Sequence, residues 1–452
     1  MRVRVWIMIG LSLNFRRFLR PSWVLGSLLV LAACADGIRL SPTPTVFLNE
    51  RTFPSDIVPE DQRRVDPTIF YVTDRAPVTR NGAVVDYLVE RSDSMAFGAT
   101  WVQFGQNLTW PQLVAASGGQ TSGRLPGLSR RGLEEIVKFP STPLPFELRN
   151  GSIQTLPEAQ VAMDRAVAEF VGAMRPAIQA SPTGDVLLYV HGIGNQFDDS
   201  VAVLANLWHF SGRDTVPLVF SWPAGNTGLF RYLRDRESGE FAIFHLKVML
   251  QSLASIPELN KIHIISHSRG TDVVTSAIRE LSIAQQAVGQ KPREALKTGI
   301  LVMAAPDLDL GVARQRLVAE RFAAAFDQIN VYINTSDSAL RLAQNFATGT
   351  RFGRIRPEDV TDDVRESLTR AGNVHFISVE DAGGGIGHAY FRQNPGVVSD
   401  IVLTLRTKEN PGGDARPLEN VKGNFWNVHR NYPAPRATAS LFPPDDDEDL
   451  NN

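Results

Sequence analysis

The hydrophobic and polar positions of the chain fall into short apolar runs that alternate with longer stretches of helical spacing. Continuous apolar runs of about four to eight residues are typical of strands buried on both faces of a parallel sheet. Such runs predict strands at 66–72, 185–190, 216–222, 261–265, 300–304, 329–334 and 374–379. The apolar spacing between them predicts helices at 156–178, 239–253, 270–286, 312–326 and 395–405.

Strands and helices that follow one another in turn predict an α/β fold. The expected architecture is a mostly parallel central sheet flanked by helices on both faces, because parallel strands need crossover helices. Functional residues should then lie at the carboxyl ends of the strands. The stretch 107–148 is rich in loop-forming residues. Together with SWPAGNTGLFRYLRD at 221–235, it is expected to form a lid and a pocket.

The two ends of the chain differ in composition from its middle. The first 33 residues contain five arginines and no acidic residue, and a short apolar run precedes Cys34. This pattern is typical of a secretory signal. The segment Leu31-Ala32-Ala33-Cys34 resembles a bacterial lipobox, which predicts that Cys34 is acylated; the alternative is an ordinary signal with a chance cysteine. The chain ends in FPPDDDEDLNN, which predicts a disordered acidic tail.

Charge and residue usage exclude several classes of function. The formal net charge is −2, and the arginines of the first 33 residues hide a more acidic remainder, so no nucleic-acid partner is expected. Cys34 is the sole cysteine, which excludes an intramolecular disulfide and a cysteine zinc site. The eight histidines are scattered, and no glycine-rich loop of nucleotide-binding type is present. We therefore expect no metal and no cofactor.

The stretch KIHIISHSRG at 261–270 carries the strongest chemical signal of the chain. A nucleophile elbow has the pattern G-x-S-x-G between a strand and a helix, with small residues two positions before and after the serine. Ser268 fits this pattern with Gly270 behind it and Ser266 in place of the first glycine. Taking Ser266 as the nucleophile would place Ile264 at a position that requires a small residue, which fits less well.

A serine nucleophile needs a histidine base and a carboxylate that orients it. In folds with such an elbow, the chain order is serine, acid, histidine. Ser268, Asp337 and His388 follow this order, and each comes just after a predicted strand. Asp307 is the reserve acid, although its position also suits a helix N-cap. His267 is expected to point away and to support the turn.

The oxyanion hole needs two backbone N–H groups directed at the developing negative charge. We expect one from Arg269, directly after the nucleophile. The other should come from the loop HGIGNQ, with Ile193 as the first choice and Gly194 as the second. The Arg269 side chain would place a positive charge near the mouth of the site, which suggests a preference for anionic acyl groups.

Several blocks that occur in order along the chain carry a family resemblance. They are FYVTDR, LLYVHGIGNQF, FSWPAGNTGLFRYLRDRESG, IISHSRGTDVV, LVMAAPDLDL, VYINTSDSALRLA and GHAYF. Together they resemble the bacterial α/β-hydrolase family of uncharacterised esterase/lipase-like proteins, over about residues 66 to 405. The resemblance implies the α/β-hydrolase fold and a triad of Ser268, Asp337 and His388.

The expected activity is hydrolysis of a carboxylic ester, with a small-molecule or lipid ester as the substrate. An acyltransferase and a non-catalytic envelope lipoprotein that binds through the same scaffold are the alternatives. The expected organisation is a signal peptide (1–33), a tether (34–64), an α/β-hydrolase domain (65–410) and a C-terminal extension (411–452). The protein is expected in the bacterial cell envelope, lipid-anchored at Cys34, in the outer membrane facing the periplasm. The sequence does not predict the oligomeric state.

Overall fold

The computed structural model describes residues 37–48, 53–228, 230–346, 349–380 and 387–433. The segments expected to be a signal peptide and a disordered acidic tail, and Cys34, lie outside these residues. The strands of the described part are β1 Thr68–Arg80, β2 Ala83–Phe104, β3 Leu128–Lys138, β4 Phe146–Arg149, β5 Ser152–Thr155, β6 Val186–Val190, β7 Val216–Ser221, β8 Ile262–His267, β9 Thr298–Ala304, β10 Gln328–Ile333, β11 Val374–Val379, β12 Glu419–Lys422 and β13 Phe425–Val428.

The α-helices of the same residues follow most of these strands. They are α1 Thr45–Leu48, α2 Trp110–Ser117, α3 Pro157–Ala180, α4 Phe197–Phe210, α5 Arg231–Ala254, α6 Gly270–Ala287, α7 Pro292–Ala295, α8 Leu310–Ala313, α9 Ser338–Phe346, α10 Asp362–Ala371, α11 Tyr390–Gln393 and α12 Pro395–Thr407. None of the helices in the described ranges is long and apolar enough to cross a membrane.

Eleven of the described strands form one sheet in the order β12-β13-β11-β10-β9-β8-β6-β7-β1-β2-β3, and β4 pairs with β5 in a separate hairpin. All neighbours from β13 to β1 run parallel, whereas β12 at one edge and β2 and β3 at the other are antiparallel. The mostly parallel sheet predicted from the sequence is therefore confirmed.

The central strands are apolar throughout because both faces of the sheet are covered. Every residue of β6 is buried, and its side chains alternate between two hydrophobic clusters. Helices α3, α5 and α6 pack on one face, and α4 and α12 pack on the other. The order in which strands are added to the sheet reverses at β6, since β7 lies on one side of β6 and β8 lies on the other. Ligands of open α/β sheets bind at such a reversal.

Several of the described elements differ from the sequence predictions, and three of them show why. Helix α4 was not predicted, because all of its residues except Asp198 and Asp199 are buried, so that no polar face marks it in the sequence. The stretch 107–148 contains α2 and β3 rather than loops alone. The helix predicted at 312–326 is broken into α8, a π-helical turn and a 3-10 turn.

The segment that precedes β1 packs onto the domain. Leu40, Val46, Phe47 and Phe53 are almost completely buried, and the Ser41 N–H donates to Asn206 Oδ1 of α4 at 3.0 Å. This packing differs from the tether expected over 34–64: the apolar residues of the segment cover the outer side of α4, so that all of that helix except Asp198 and Asp199 is buried.

The sheet also continues past the end expected for the domain at residue 410. Strand β13 pairs in parallel with β11, and β12 pairs with β13 at the edge. Phe425 of β13 is fully buried and stacks on Phe376 of β11 with ring centroids 4.7 Å apart. Residues 419–428 are therefore part of the central sheet rather than of a separate extension.

Candidate active site

Ser268 lies on a sharp turn between β8 and α6. Its φ angle is +52°, in the left-handed region that non-glycine residues rarely adopt. Its N–H donates to the Ala304 carbonyl at the end of β9, at 2.9 Å. A strained residue between a strand and a helix is the geometry of a nucleophile elbow, as the sequence predicts for this serine.

Two glycines allow the chain to fold tightly at this turn. A Cβ on Gly270 would lie 2.6 Å from the Val190 carbonyl oxygen, and a Cβ on Gly192 would lie 2.7 Å from the Ser268 Cβ. Either contact is too close for real atoms, so both positions require glycine. Ser266 fits at the remaining small position because its hydroxyl is buried and bonds to the Val302 carbonyl at 3.2 Å.

Asp337 and His388 are brought together by the loops after β10 and β11. Oδ2 of Asp337 lies 2.6 Å from Nδ1 of His388, and its Oδ1 accepts the Leu340 N–H at 2.9 Å in the first turn of α9. Asp337 is fully buried. The carboxylate is thus fixed by the helix while it orients the imidazole, leaving Nε2 of His388 as the atom that can take a proton.

His267 connects the elbow to the histidine loop. Its Nε2–H donates to the His388 carbonyl at 3.2 Å, and the centroids of the two imidazole rings are 4.8 Å apart. Burial lowers the pKa of His267 well below its ordinary value, so the ring is neutral at pH 7. The sequence analysis expected His267 to point away. In the structure, it contacts the loop of His388 instead.

Ser268 is connected to the Asp337–His388 pair through its neighbour His267. Within the described residues, no hydrogen bond joins Ser268 Oγ to Nε2 of His388. Such contacts are often long in enzymes without substrate and tighten in the complex. The shared contact with His267 nevertheless places the nucleophile turn and the His388 loop side by side.

The candidate oxyanion donors are the N–H groups of Arg269 and Ile193. Neither donates to a protein acceptor among the described residues. Arg269 directly precedes α6, where helix N–H groups and the helix dipole favour negative charge. Gly194, the second choice from the sequence, does not fit, because its N–H donates to Asp235 Oδ2 at 2.9 Å.

Asp235 of α5 was not found by sequence reasoning. It is fully buried and accepts four hydrogen bonds, from the N–H groups of Gly194, Gly225 and Asn226 and from the Asn226 side-chain amide, at 2.6–3.1 Å. One carboxylate thereby ties the loop after β6 to the loop after β7. Its donors are mostly backbone groups, which leave no residue signature in a sequence.

Arg75 of β1 holds the same two loops from the opposite side. Its fully buried guanidinium donates to the Asn195 carbonyl at 2.9 Å and to the Ala224 carbonyl at 2.8 Å. It also lies 3.4 Å from Nε2 of His191. Burial, together with this neighbouring positive charge, lowers the pKa of His191 to about 3, so His191 is a neutral structural residue.

Asp307, the reserve acid, has other partners. Its Oδ2 accepts the Tyr232 hydroxyl at 3.0 Å, and its Oδ1 lies 3.5 Å from Nε of Arg351. Burial and the Asp307 charge raise the pKa of Tyr232 to about 12. Asp309, rather than Asp307, caps the following helix through the Val312 N–H. Asp337 is therefore the carboxylate that meets His388 in the described structure.

The Arg269 side chain is not a free charge at the mouth of the site. It is almost completely buried and pairs with Asp272 at 2.5 Å and with Glu240 at 3.4 Å. These carboxylates neutralise the guanidinium, which removes the basis for a preference for anionic acyl groups. The described residues contain no group of three or more His, Cys, Asp or Glu side chains arranged to hold a metal ion.

The two stretches expected to form a lid and a pocket lie in different places. Gly225 and Asn226 bond to Asp235, which also holds Gly194 in the loop after β6. Strand β3 of the stretch 107–148 lies instead at the far edge of the sheet, five places from β8. That stretch therefore contributes mainly to the sheet edge.

Comparison with known families matches one of them. The model of a family described as "Alpha/beta hydrolase of unknown function (DUF900)" matches residues 168–406, about half of the chain. The matched region contains Ser268, Asp337, His388, Asp235 and the loop of Ile193. No curated protein matches the chain.

Proposed function

The chain belongs to the alpha/beta-hydrolase family of unknown function, and from this premise we propose that it is a serine hydrolase that cleaves a carboxylic ester. The observation that carries the proposal is the 2.6 Å bond between buried Asp337 and His388, beside an elbow that holds Ser268 at a φ of +52°. These are the parts that activation of a serine requires.

In this mechanism, Ser268 Oγ attacks the ester carbonyl while Nε2 of His388 takes its proton. Asp337 stabilises the imidazolium that forms. The N–H groups of Arg269 and Ile193 stabilise the tetrahedral oxyanion. The proton then passes from His388 to the leaving alcohol, and water, activated by the same imidazole, hydrolyses the acyl-enzyme.

The test is labelling with a fluorophosphonate probe alongside turnover of a short-chain aryl ester. We expect the wild type to be labelled on the tryptic peptide 262–269, and Ser268→Ala to lose both this label and turnover. Asp337→Asn should lower kcat by about 10⁴-fold, because the amide fixes the wrong imidazole tautomer. Asp307→Asn is the matched control and should retain most of the activity.

Two outcomes would count against the proposal. A folded wild-type protein without label on 262–269 would favour the non-catalytic binding scaffold. A larger loss of kcat in Asp307→Asn than in Asp337→Asn would reassign the acid. An acyltransferase would be recognised by ester products that appear when alcohol acceptors are added.

We further propose that the protein is a lipoprotein of the bacterial envelope, anchored through acylated Cys34 in the outer membrane. Support comes from the arginines and the short apolar run that precede the sole cysteine. Cys34→Ala should release the protein from the membrane fraction, and a variant that still fractionates with membranes would contradict the anchor.

A further inference from the structure

A second chain of hydroxyl, imidazole and carboxylate lies outside the Ser268 site. Oδ2 of Asp74 in β1 is 3.0 Å from Nδ1 of His245 in α5. Nε2 of the same histidine is 3.1 Å from Oγ1 of Thr142, in the loop after β3. The three residues come from distant parts of the sequence and use the same imidazole atoms as a catalytic triad.

Burial decreases from the carboxylate to the imidazole and then to the hydroxyl, as in a catalytic triad. Asp74 is fully buried and His245 nearly so, whereas Thr142 is partly exposed. The inner carboxylate is therefore shielded from water, and the outer hydroxyl can meet a molecule from solution. The Asp337–His388 pair of the first site has a fully buried acid bound to Nδ1 in the same way.

The buried carboxylate of Asp74 is not fully satisfied by His245. Its Oδ1 is buried and has no hydrogen-bond partner among the described residues, and burial raises the pKa of this carboxyl. An unsatisfied buried oxygen costs about 1–3 kcal/mol, and a catalytic role is one of the reasons for which native proteins keep such a group. Asp74 belongs to the FYVTDR block, which the Ser268 site uses only through Arg75.

A pocket lies next to the loop that carries Thr142. It has a volume of about 350 Å³ and is lined by neighbours of Thr142 in sequence and by the start of α3, although not by Thr142 itself: Pro140, Ser141, Leu144, Pro145, Leu156, Glu158 and Ala159. The lining is mostly apolar, as in sites that hold the carbon chain of a ligand. The hydroxyl of Thr142 also lies 3.2 Å from the Asp93 carbonyl, the second acceptor available to its proton.

We propose that Thr142 is a second activated hydroxyl, which accepts acyl groups from reactive esters with His245 as its base. Thr142 Oγ forms a bond to the acyl carbon while Nε2 of His245 takes the hydroxyl proton. The ester C–O bond then breaks, and the leaving alkoxide takes that proton from His245. The product is an acyl-threonine, and the step is independent of the role proposed for Ser268.

The probe for this site is a fluorophosphonate, applied to the mature chain that carries Ser268→Ala. Attack on phosphorus forms an Oγ–P bond and releases fluoride, so the adduct is stable. Thr142 lies in the tryptic peptide 139–149, whereas position 268 lies in 262–269. Tandem mass spectrometry therefore separates this site from the first one.

We expect an adduct on Thr142 in the Ser268→Ala protein, and none after a further Thr142→Val change. A further His245→Gln change should slow labelling by about 10²-fold or more, because the amide keeps a donor for Asp74 but cannot act as a base. Ser94→Ala is the matched control: this nearby hydroxyl bonds to Ser141 Oγ at 2.9 Å and does not line the pocket, so its removal should leave the rate unchanged.

The proposal is overturned if the folded Ser268→Ala protein carries no adduct on 139–149, or if His245→Gln is labelled at the unchanged rate. If the His245→Gln variant does not unfold cooperatively, and is therefore not properly folded, the labelling rate of the Thr142→Ser variant tests the proposal in its place. A faster rate for the less hindered hydroxyl supports direct attack by residue 142, and an unchanged rate contradicts it. These outcomes do not depend on whether Ser268 is labelled in the wild type, because residue 268 is an alanine in the protein that is tested.

Discussion

Asp235 shows how one side chain can determine the geometry of a site that it does not enter. Each of its two oxygens accepts two hydrogen bonds. The carboxylate takes the N–H of Gly194 and thereby restrains the peptide that directly follows the one carrying the N–H of Ile193. Arg75 fixes the same loop at the Asn195 carbonyl. The loop that carries the candidate oxyanion donor Ile193 is thus held in place by the protein itself.

The substitution Asp235→Asn tests this positioning. The amide can accept through only one of its two former oxygens, so two of the four donors lose their partner. We expect kcat for an aryl ester to fall by about 10²- to 10³-fold with little change in KM, because the displaced donors act on the oxyanion rather than on bound substrate.

Asp185→Asn is the matched control for that experiment. Asp185 is buried and bonds to His263 at 3.1 Å, but it precedes β6 at the opposite end of the strand from the site. This variant should lose stability while kcat stays near the wild-type value. Equal kcat losses in both variants would show a general effect of buried charge rather than positioning.

The residues of the candidate site were predictable to different degrees. Ser268, Asp337 and His388 each follow a predicted strand, so chain order and side-chain type were enough to select them. Asp235 and Arg75 bond mainly to backbone groups of loops that only the folded sheet brings together. Thr142 and His245 were missed for the same reason, since no local pattern connects them to Asp74.

At the level of elements, the N-terminal segment determines how α4 is packed. Phe53 is fully buried and stacks on His209 of α4 with ring centroids 4.6 Å apart. Phe53→Ala should lower the free energy of unfolding by about 3–5 kcal/mol, as expected for loss of a buried aromatic ring, measured by urea denaturation.

Phe146→Ala provides the comparison for Phe53→Ala. Phe146 lies in the β4–β5 hairpin and is 56% exposed, so its removal should change the free energy of unfolding by less than about 0.5 kcal/mol. If residues 34–64 were only a tether, the two variants would be equally stable.

The sequence predicted well those elements whose apolar and polar positions match the buried and exposed positions of the folded chain. Strands β6 and β10 are buried on both faces and read as continuous apolar runs. Helix α4 is covered by the sheet on one side and by the N-terminal segment on the other, so its sequence lacks a polar face. Strand β2 is partly exposed and irregularly paired with β1, which removes the regular alternation of a strand.

For the whole molecule, buried neutral histidines make stability depend on pH. Burial lowers the pKa of His191 to about 3 and that of His375 to about 4. The unfolded chain binds protons at these residues below a pKa of about 6.5, whereas the folded chain does not. Stability is therefore fully present above about pH 6.5 and is lost as the pH falls towards 4.

His375→Gln isolates one of these contributions. His375 bonds to Asn410 at 3.1 Å, far from the candidate site. Between pH 7 and pH 5, the wild type should lose about 2 kcal/mol more unfolding free energy than the variant, as measured by urea titrations at the two pH values. Equal losses would mean that His375 is protonated in the folded protein at pH 5.

The position of β13 in the sheet has a consequence for the order in which the protein can fold during synthesis. This strand lies near the end of the chain, yet it covers the edge of β11, whose residues are made about 50 positions earlier. Until the last strands leave the ribosome, β11 presents an open edge and the apolar ring of Phe376. Open edges recruit strands from other chains. A nascent chain that stalls near residue 410 would therefore be prone to aggregate, although every residue of the candidate site had already been made.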